Sequence, residues 1–168
     1  FLDGLDPIHL ILNISASPFY LGKISKRERL VAACAERFGC AVGYCNLVGG
    51  QDELIFDGRS MFADSTGRVV AKAAAFDEDM MIVDVSLADR SKVHVRPVTT
   101  PRPQPADLLD ELYQALVLGT RDYARKNGFS KVLLGLSGGV DSSVTAAVAA
   151  AALGPENVTG VSMPSRFN

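Results

Sequence analysis

Leu134-Gly-Leu-Ser-Gly-Gly-Val-Asp-Ser-Ser143 is a glycine-rich loop between an apolar run, residues 131–136, and an alanine-rich run, residues 142–153. The apolar run predicts a buried strand, and the alanine-rich run predicts a packed helix. Because glycine has no Cβ atom, the loop can turn sharply and approach an anion closely. Its backbone N–H groups and the positive end of the new helix can then bind a phosphate chain.

The side chains of this loop suit a nucleotide phosphate. Ser137, Ser142 and Ser143 add hydroxyl donors, and Asp141 offers a carboxylate to Mg²⁺. The loop is not a Walker loop, which needs a lysine directly before its serine or threonine, because no lysine follows Lys131. The alternative interpretation is an ordinary glycine-rich turn between a strand and a helix.

The loop resembles the pyrophosphate loop of the N-type ATP pyrophosphatases, whose signature is Ser-Gly-Gly-x-Asp-Ser. The resemblance implies that the loop holds the β,γ-pyrophosphate of ATP while an oxygen nucleophile attacks the α-phosphorus. It also implies that Asp141 is a Mg²⁺ ligand and that Leu136 and Met163 border the adenine pocket. The ATP-binding residues implied in this way are Gly135, Leu136, Ser137, Gly138, Gly139, Val140, Asp141 and Ser142.

Composition excludes several classes of function. With 48% hydrophobic and 21% charged residues, the 168-residue chain can bury a core and is not disordered by composition. Its net charge of −2 argues against a dominant nucleic-acid surface, and no apolar run reaches membrane-spanning length. Three cysteines without paired spacing and two histidines argue against a zinc site. These features predict a cytoplasmic protein with reduced thiols and no nucleic-acid or membrane partner.

A helix is predicted in the first part of the chain, after a buried strand at residues 8–14. Ser25-Lys-Arg-Glu28 has the capping-box pattern, a serine with a glutamate three residues later. Gly39 is the predicted end of this helix. Its predicted apolar stripe consists of Leu30, Val31, Cys34 and Phe38.

Short strands are predicted after this helix. Residues 40–48, 68–73 and 80–85 form apolar runs of strand length. Asp57-Gly58, between two further apolar segments, predicts a hairpin turn, and Asp64-Ser-Thr-Gly67 predicts a second turn. The acidic group Asp77-Glu-Asp79 predicts a solvated patch, with metal binding as the alternative.

A proline-rich segment divides the chain. Val95–Pro105 holds four prolines with polar and basic neighbours, which predicts an extended linker or an ordered crossover. The predicted organisation is therefore a first domain at residues 1–95, a linker at residues 96–106 and a second domain at residues 107–168.

The second domain is predicted to begin with a helix. Asp107 is its expected N-cap, and Arg125, Lys126 and Gly128 suit its C-terminal end. The apolar run at residues 158–163 predicts a strand after the alanine-rich helix. The apolar stripe of the first helix is predicted at Leu109, Leu112, Leu116 and Tyr123.

Four segments, together with the glycine-rich loop, resemble the glutamine-dependent NAD⁺ synthetases, and the resemblance extends over nearly the whole chain. They are Asn13-Ile-Ser-Ala-Ser-Pro-Phe-Tyr-Leu-Gly-Lys23, Gly49-Gly-Gln-Asp-Glu-Leu-Ile-Phe-Asp-Gly-Arg-Ser60, residues 113–129 and Val161-Ser-Met-Pro-Ser165. The resemblance implies an α/β protein. Its first part is the C-terminal half of an α-β-β-α nitrilase-like sandwich. A Rossmann-like parallel-sheet domain of the adenine-nucleotide α-hydrolase type begins in its second part.

The resemblance also implies a reaction. In that family a Glu-Lys-Cys triad releases ammonia from glutamine, and deamido-NAD⁺ adenylated by ATP accepts the ammonia to give NAD⁺, AMP and pyrophosphate. The implied substrates are glutamine, deamido-NAD⁺ and ATP, with Mg²⁺, and the implied assembly is a homo-oligomer. Ser17 and Lys23 match positions that contact the α-amino and α-carboxylate groups of glutamine. A turn residue and a surface lysine are their respective alternatives.

The family triad has no match in this chain. The three residues are expected upstream of residue 1, so the chain is read as an internal segment that is inactive alone and holds no catalytic residue. Cys34, Cys40 and Cys45 are predicted to be core residues rather than nucleophiles.

Three rival interpretations remain. A GMP synthetase has a similar loop, but its glutaminase uses a Cys-His-Glu triad on another fold. A tRNA-thiolating pyrophosphatase would need cysteines near the ATP site and a basic surface. A non-catalytic scaffold could keep both folds without the triad.

Overall fold

The computed structural model describes residues 8–89 and 92–164, and the chain forms two compact units. The first unit takes the residues up to Val48 and Phe56–Pro105, and the second takes Gly49–Ile55 and the residues from Ala106. A short segment of the predicted first domain therefore packs with the second unit. The elements, in chain order, are β1 (Leu10–Ser15), α1 (Lys23–Phe38), β2 (Ala41–Asn46), β3 (Val48–Gln51), β4 (Leu54–Asp57), β5 (Met61–Ala63), β6 (Val69–Lys72), β7 (Val83–Asp89), β8 (Lys92–Pro97), α2 (Leu108–Lys126), β9 (Val132–Leu136), α3 (Val140–Leu153) and β10 (Val158–Ser162).

The first unit is built on a four-stranded sheet in the order β1-β2-β5-β6. β1 runs parallel to β2, while β5 is antiparallel to both β2 and β6. Helix α1 covers this sheet, because its apolar side chains at i, i+4 spacing face the strands. The buried cluster between them consists of Val31, Ala35, Cys40, Val42, Met61 and Ala63.

Met61 is a good test of this core because it is fully buried on the central strand β5. Met61→Ala should lower the free energy of unfolding by about 2–5 kcal/mol, since the lost contacts leave a cavity. Met80→Ala is the matched control, because Met80 is 74% exposed in the same unit. Urea unfolding should show a lower midpoint for the first variant and an unchanged midpoint for the second; equal midpoints would contradict this core.

The start of helix α1 differs from the capping-box prediction. The helix begins at Lys23, and its N-cap is Gly22 in a left-handed conformation without a side-chain cap. Ser25 therefore lies inside the first turn instead of capping it. The end at Gly39 is confirmed, with φ 59° and hydrogen bonds to the carbonyls of Ala35 and Glu36. Leu30, predicted on the apolar stripe, is exposed.

The hairpin predicted at Asp57-Gly58 is wrong. β4 pairs with β3 through the turn at residues 52–53, whereas β5 pairs with β2 and β6. Gly58 instead forms an isolated bridge with Ala75. Asp57 is a fully buried carboxylate, which local turn chemistry does not require. The turn at Asp64–Gly67 is confirmed by the hydrogen bond from Gly67 N–H to the Asp64 carbonyl.

Two further predictions about burial and pairing fail in the first unit. β1 was expected to be a buried strand, but Leu12 and Ile14 are exposed among the described residues. β7 and β8 form an antiparallel pair, where the sequence predicted one strand at residues 80–85. β8 runs to Pro97, so it includes the first two residues of the predicted linker.

The cysteine predictions hold in part. Cys40 is fully buried in the core, and burial raises the pKa of its thiol. Cys34 is half-buried and packs against the same cluster. Cys45 is exposed, so the prediction that it is a core residue is wrong.

In the second unit, α2 packs with α3, and β9 pairs in parallel with β10. Asp107 caps α2 as predicted, because its carboxylate accepts the N–H groups of Leu109 and Asp110. The predicted apolar stripe of α2 is wrong, since all four of its residues are exposed. The buried residues are Glu111, Ala115, Leu118 and Ala124.

The segment Gly49–Ile55 packs on α2. The Gly50 N–H donates to the Asp122 carboxylate at 2.8 Å, and Lys126 Nζ donates to the Gly50 carbonyl at 2.5 Å. A Cβ atom at Gly119 would lie 3.0 Å from Ile55, so a glycine at that position allows the close contact. Within residues 8–89 and 92–164, no helix has the length and apolar character needed to cross a membrane.

Candidate functional site

The glycine-rich loop in the second unit connects β9 to α3 as predicted. Gly138 has φ 84°, a conformation that only glycine adopts readily. Gly139 is the N-cap of α3, and no side chain caps this helix. The first backbone N–H groups of α3 are therefore open to an external acceptor, and they lie at the carboxyl end of a parallel strand.

Serine hydroxyls hold this loop in shape. Ser142 Oγ and Ser143 Oγ each donate to the Gly139 carbonyl at 3.0 Å. Ser137 Oγ lies 3.2 Å from Ser142 Oγ and accepts the Gly139 N–H at 3.3 Å. All of these groups are exposed or half-buried, so they remain accessible to a ligand.

Asp141 lies in the first turn of α3 and is exposed. Its carboxylate has no salt-bridge partner among the described residues. The part of the chain that the structure describes contains no group of three or more His, Cys, Asp or Glu residues suited to a metal ion. A single carboxylate still fits Mg²⁺, which is commonly held by one or two carboxylates with phosphate oxygens and water.

The other predicted nucleotide contacts lie along the same strand ends. A Cβ atom at Gly135 would lie 3.1 Å from Met163 Cε, so the two residues lie side by side. A Cβ atom at Gly160 would meet the Leu136 side chain at 2.5 Å, which places Leu136 against β10. The structure thus brings the predicted ATP-binding residues together around one loop.

In the first unit, Ser17 and Lys23 line one cavity of about 490 Å³. The cavity lies between α1 and the strands β1 and β2, and its lining also includes Lys26 and Arg27. The ammonium groups of Lys23 and Lys26 on one concave surface favour an anionic group as part of the ligand. The two residues predicted to contact glutamine, Ser17 and Lys23, therefore line the same cavity.

Lys23 is partly enclosed in this cavity. Its Nζ donates to the Pro18 carbonyl and lies 5.1 Å from the centre of the Tyr20 ring. The pKa of Lys23 is lowered from its ordinary value, first because of burial and then because of the nearby Arg27 charge. A carboxylate that binds in the cavity would favour the charged form of Lys23 and so oppose this lowering of its pKa.

Ser17 is held from both sides. Its backbone N–H donates to Asn46 Oδ1 at 2.9 Å, and its carbonyl accepts Arg27 Nη2–H at 2.7 Å. Arg27 also forms two hydrogen bonds to the buried Asp57 carboxylate, at 2.6 and 2.8 Å. Arg59 Nη1 lies 3.8 Å from the same carboxylate.

The sequence interpretation missed Arg27, Asn46 and Asp57. One signal for Arg27 was available: it precedes Val31 and Ala35 by four and eight residues, so it lies on the buried face of α1. A charged residue at such a position needs a partner, because an unpaired buried charge is costly. No local pattern in the sequence identifies Asp57 as that partner.

The prediction of a solvated acidic patch at residues 77–79 is wrong for Asp79. Its side chain is nearly buried, and it accepts the Ala74 N–H at 3.0 Å and Arg102 Nε–H at 3.3 Å. The Ala74 hydrogen bond is the main cause of the lowered pKa of Asp79. Asp77 and Glu78 are exposed as predicted. Arg166, an arginine that could contact a phosphate or simply be solvated, lies outside the described residues.

Two family models match the chain in succession. The carbon-nitrogen hydrolase model matches residues 5–94, and the NAD synthase model matches residues 112–168. The two matches fall on either side of the proline-rich segment.

Individual relatives match across both regions. Glutamine-dependent NAD(+) synthetases of Aquifex aeolicus and Thermotoga maritima are 44% and 40% identical over 98% and 95% of this chain. The chain spans about a third of the length of these curated relatives, 34% and 32% respectively. A solved glutamine-dependent NAD⁺ synthetase of Acinetobacter baumannii, in complex with ADP, is 37% identical. Its TM-score is 0.83, over 94% of this chain and 29% of that one.

Proposed function

The chain belongs to the carbon-nitrogen hydrolase family and is homologous to glutamine-dependent NAD⁺ synthetases; on this premise we propose that the full-length protein makes NAD⁺. The proposed substrates are deamido-NAD⁺, ATP and glutamine, and the products include AMP and pyrophosphate. The observation that carries the proposal is the order of the two family matches along one chain. A cytoplasmic homo-oligomer belongs to the same proposal on the resemblance alone.

The loop of the second unit is the proposed site of ATP. The open N–H groups at the start of α3 and the hydroxyls of Ser137 and Ser142 would bind the pyrophosphate part. The ADP in the A. baumannii relative supports an adenine nucleotide here. Asp141 would hold Mg²⁺, which when bound neutralises charge on the phosphates.

The proposed reaction has two steps. A carboxylate oxygen of deamido-NAD⁺ attacks the α-phosphorus of ATP, and the bond from that phosphorus to the pyrophosphate oxygen breaks. The nitrogen of ammonia then attacks the activated carbonyl carbon, loses a proton, and AMP leaves. The loop contributes by positioning and by stabilising negative charge, so it needs no side-chain nucleophile.

The cavity of the first unit is the proposed binding site for glutamine. Lys23 would pair with the α-carboxylate, and the hydroxyl oxygen of Ser17 would accept a hydrogen bond from the α-ammonium group. The nucleophile for glutamine hydrolysis is proposed to lie outside residues 1–168. Cys40 is unsuited to this role, because its thiol is buried and its pKa is raised, and the thiolate is the reactive form of cysteine.

Lys23→Met should raise the KM for glutamine by about 10- to 100-fold, the effect of losing one charge-assisted hydrogen bond. NAD⁺ formation from ammonium should stay unchanged, because this route does not use glutamine. The measurement is the initial rate of NAD⁺ formation by the full-length protein with each nitrogen source.

Arg29→Met is the matched control for this variant. It removes an equal charge from the same helix, but Arg29 is exposed and lies outside the cavity lining. A KM for glutamine that is the same in Lys23→Met and Arg29→Met would contradict the assignment of Lys23.

The proposed function is tested by the choice of acceptor nucleotide. The full-length protein is supplied with ATP, Mg²⁺ and ammonium, plus either deamido-NAD⁺ or xanthosine monophosphate. Production of AMP only with deamido-NAD⁺ is the expected result. Product only from the xanthosine nucleotide would assign the chain to a GMP synthetase, and no product from either would favour the scaffold.

A further inference from the structure

The Arg27–Asp57 ion pair lies behind the proposed glutamine cavity, and none of the family matches assigns a role to it. Arg27 and Asp57 are 4% and 0% exposed. A buried ion pair of this kind is weak evidence for stability, because removing two charges from water offsets their attraction. Its geometry relative to Ser17 is more informative.

The five N–H donors of the Arg27 guanidinium are all directed at acceptors within the protein. Nη1 donates twice to the Asp57 carboxylate, and Nη2 donates to the carbonyls of Ser17 at 2.7 Å and Pro18 at 3.4 Å. Nε lies 3.4 Å from Ser17 Oγ. A guanidinium has five N–H donors, so this set leaves no further donor for a ligand. Arg27 is therefore placed to orient Ser17 rather than to bind a carboxylate itself.

A second side chain completes the support. Asn46 is buried, its Oδ1 accepts the Ser17 N–H, and its Nδ2 donates to the Gly58 carbonyl at 3.0 Å. Arg27 and Asn46 thus both connect the Ser17 backbone to the adjacent residues Asp57 and Gly58. The backbone of Ser17 is fixed at its N–H and at its carbonyl.

We propose that Arg27 and Asp57 are positioning residues for glutamine: they fix Ser17 so that its hydroxyl oxygen accepts a hydrogen bond from the α-ammonium group of the substrate in the cavity. The inference rests on the proposed function, since that function makes Ser17 a glutamine contact. The hydroxyl oxygen of Ser17 has two lone pairs, so it can accept Arg27 Nε–H and also accept an N–H of the glutamine α-ammonium group.

Arg27→Lys is the principal test. Lysine keeps the charge opposite Asp57, but its single ammonium cannot reproduce the planar fork that contacts Asp57 and Ser17 together. In the full-length protein the KM for glutamine should rise about tenfold, as expected for the loss of one hydrogen bond to a charged group. The rate with ammonium should be unchanged, which shows that the protein is folded and that its ATP site is intact.

Asp57→Asn is the second variant, because it removes the charge that holds Arg27 in place. The double variant Arg27→Lys/Asp57→Asn should have a KM for glutamine no higher than that of the single variant with the higher KM, because both changes disrupt the same ion pair. Glu28→Gln is the control: it breaks the exposed ion pair with Lys72, beside Arg27 on the same helix, and should leave both activities unchanged.

The outcomes separate this inference from the proposed function. If the unmodified protein makes no NAD⁺ from ammonium, the proposed function fails and the inference fails with it. If it does, an unchanged KM for glutamine in Arg27→Lys overturns the inference alone. An equal loss of the ammonium and glutamine activities in Arg27→Lys would assign the pair a purely structural role and also overturn it. Should Asp57→Asn fail to fold, Arg27→Lys decides.

Discussion

Replacing Asp141 with alanine is expected to reduce NAD⁺ formation about 100- to 1000-fold with either ammonium or glutamine as the nitrogen source. Asp141 lies in the first turn of α3, beside the loop proposed to hold the pyrophosphate. Loss of its carboxylate removes a ligand for the cation that balances the phosphate charge during attack at the α-phosphorus. Both routes fall equally because adenylation precedes the use of ammonia in each.

The control for this variant is Glu156→Gln. Glu156 is an exposed carboxylate in the short 3₁₀ turn Pro155–Asn157, after α3. The measurement is the rate of AMP formation by the full-length protein with deamido-NAD⁺ and ammonium. Normal AMP formation by Asp141→Ala would remove Asp141 from the site, and an equal loss in Glu156→Gln would mean that the effect is not specific.

Gly138→Ala should reduce ATP-dependent NAD⁺ formation about 100-fold, because the loop backbone would have to change conformation where its N–H groups are proposed to face the phosphates. Gly138 has φ 84°, and a Cβ atom there would meet nothing within 4 Å. The expected loss of activity therefore has two causes. The first is backbone strain, which costs about 1–2 kcal/mol for a residue with a Cβ atom. The second is that the added Cβ atom would occupy the space above the loop where a phosphate would bind.

Gly128→Ala separates strain from function. Gly128, after the end of α2, has φ 76° and is equally open, so the same substitution imposes a similar strain outside the loop. The two variants should lose similar stability to urea, while only Gly138→Ala should lose activity. Equal activities would contradict a phosphate role for the loop.

Local patterns were sufficient to predict the strand, turn and helix around the glycine-rich loop. The strand β9, the glycines of the turn and the helix α3 follow one another within 22 residues, and each depends on neighbours in the sequence. The cap at Asp107 and the end of α1 at Gly39 are local for the same reason. These local predictions were confirmed, whereas the capping box predicted at Ser25, which is equally local, was wrong, because α1 begins at Lys23.

Predictions that depend on distant packing were less accurate. The leucines of α2 have helical spacing, yet the helix packs through Ala115, Leu118 and Ala124, because its partner surfaces decide which face is buried. Asp57 precedes a glycine, which is a pattern typical of turns, but its carboxylate forms an ion pair with Arg27, 30 residues away. No periodicity in the sequence encodes such a contact.

The cavity proposed to bind glutamine could be predicted only in part. Ser17 and Lys23 came from the family resemblance, and the structure places both in one cavity. The residues that support Ser17 come from α1, β2 and β4, so they could be recognised only after the chain was folded.

The central claim is that the two units serve one reaction, the transfer of the glutamine amide nitrogen to deamido-NAD⁺. It is tested most directly by supplying the full-length protein with ATP, Mg²⁺, deamido-NAD⁺ and glutamine labelled with ¹⁵N in its amide, without added ammonium. We predict NAD⁺ carrying the ¹⁵N label in its carboxamide, detected by mass spectrometry. Label released as ammonia or retained in glutamine, with no labelled NAD⁺, would contradict the account.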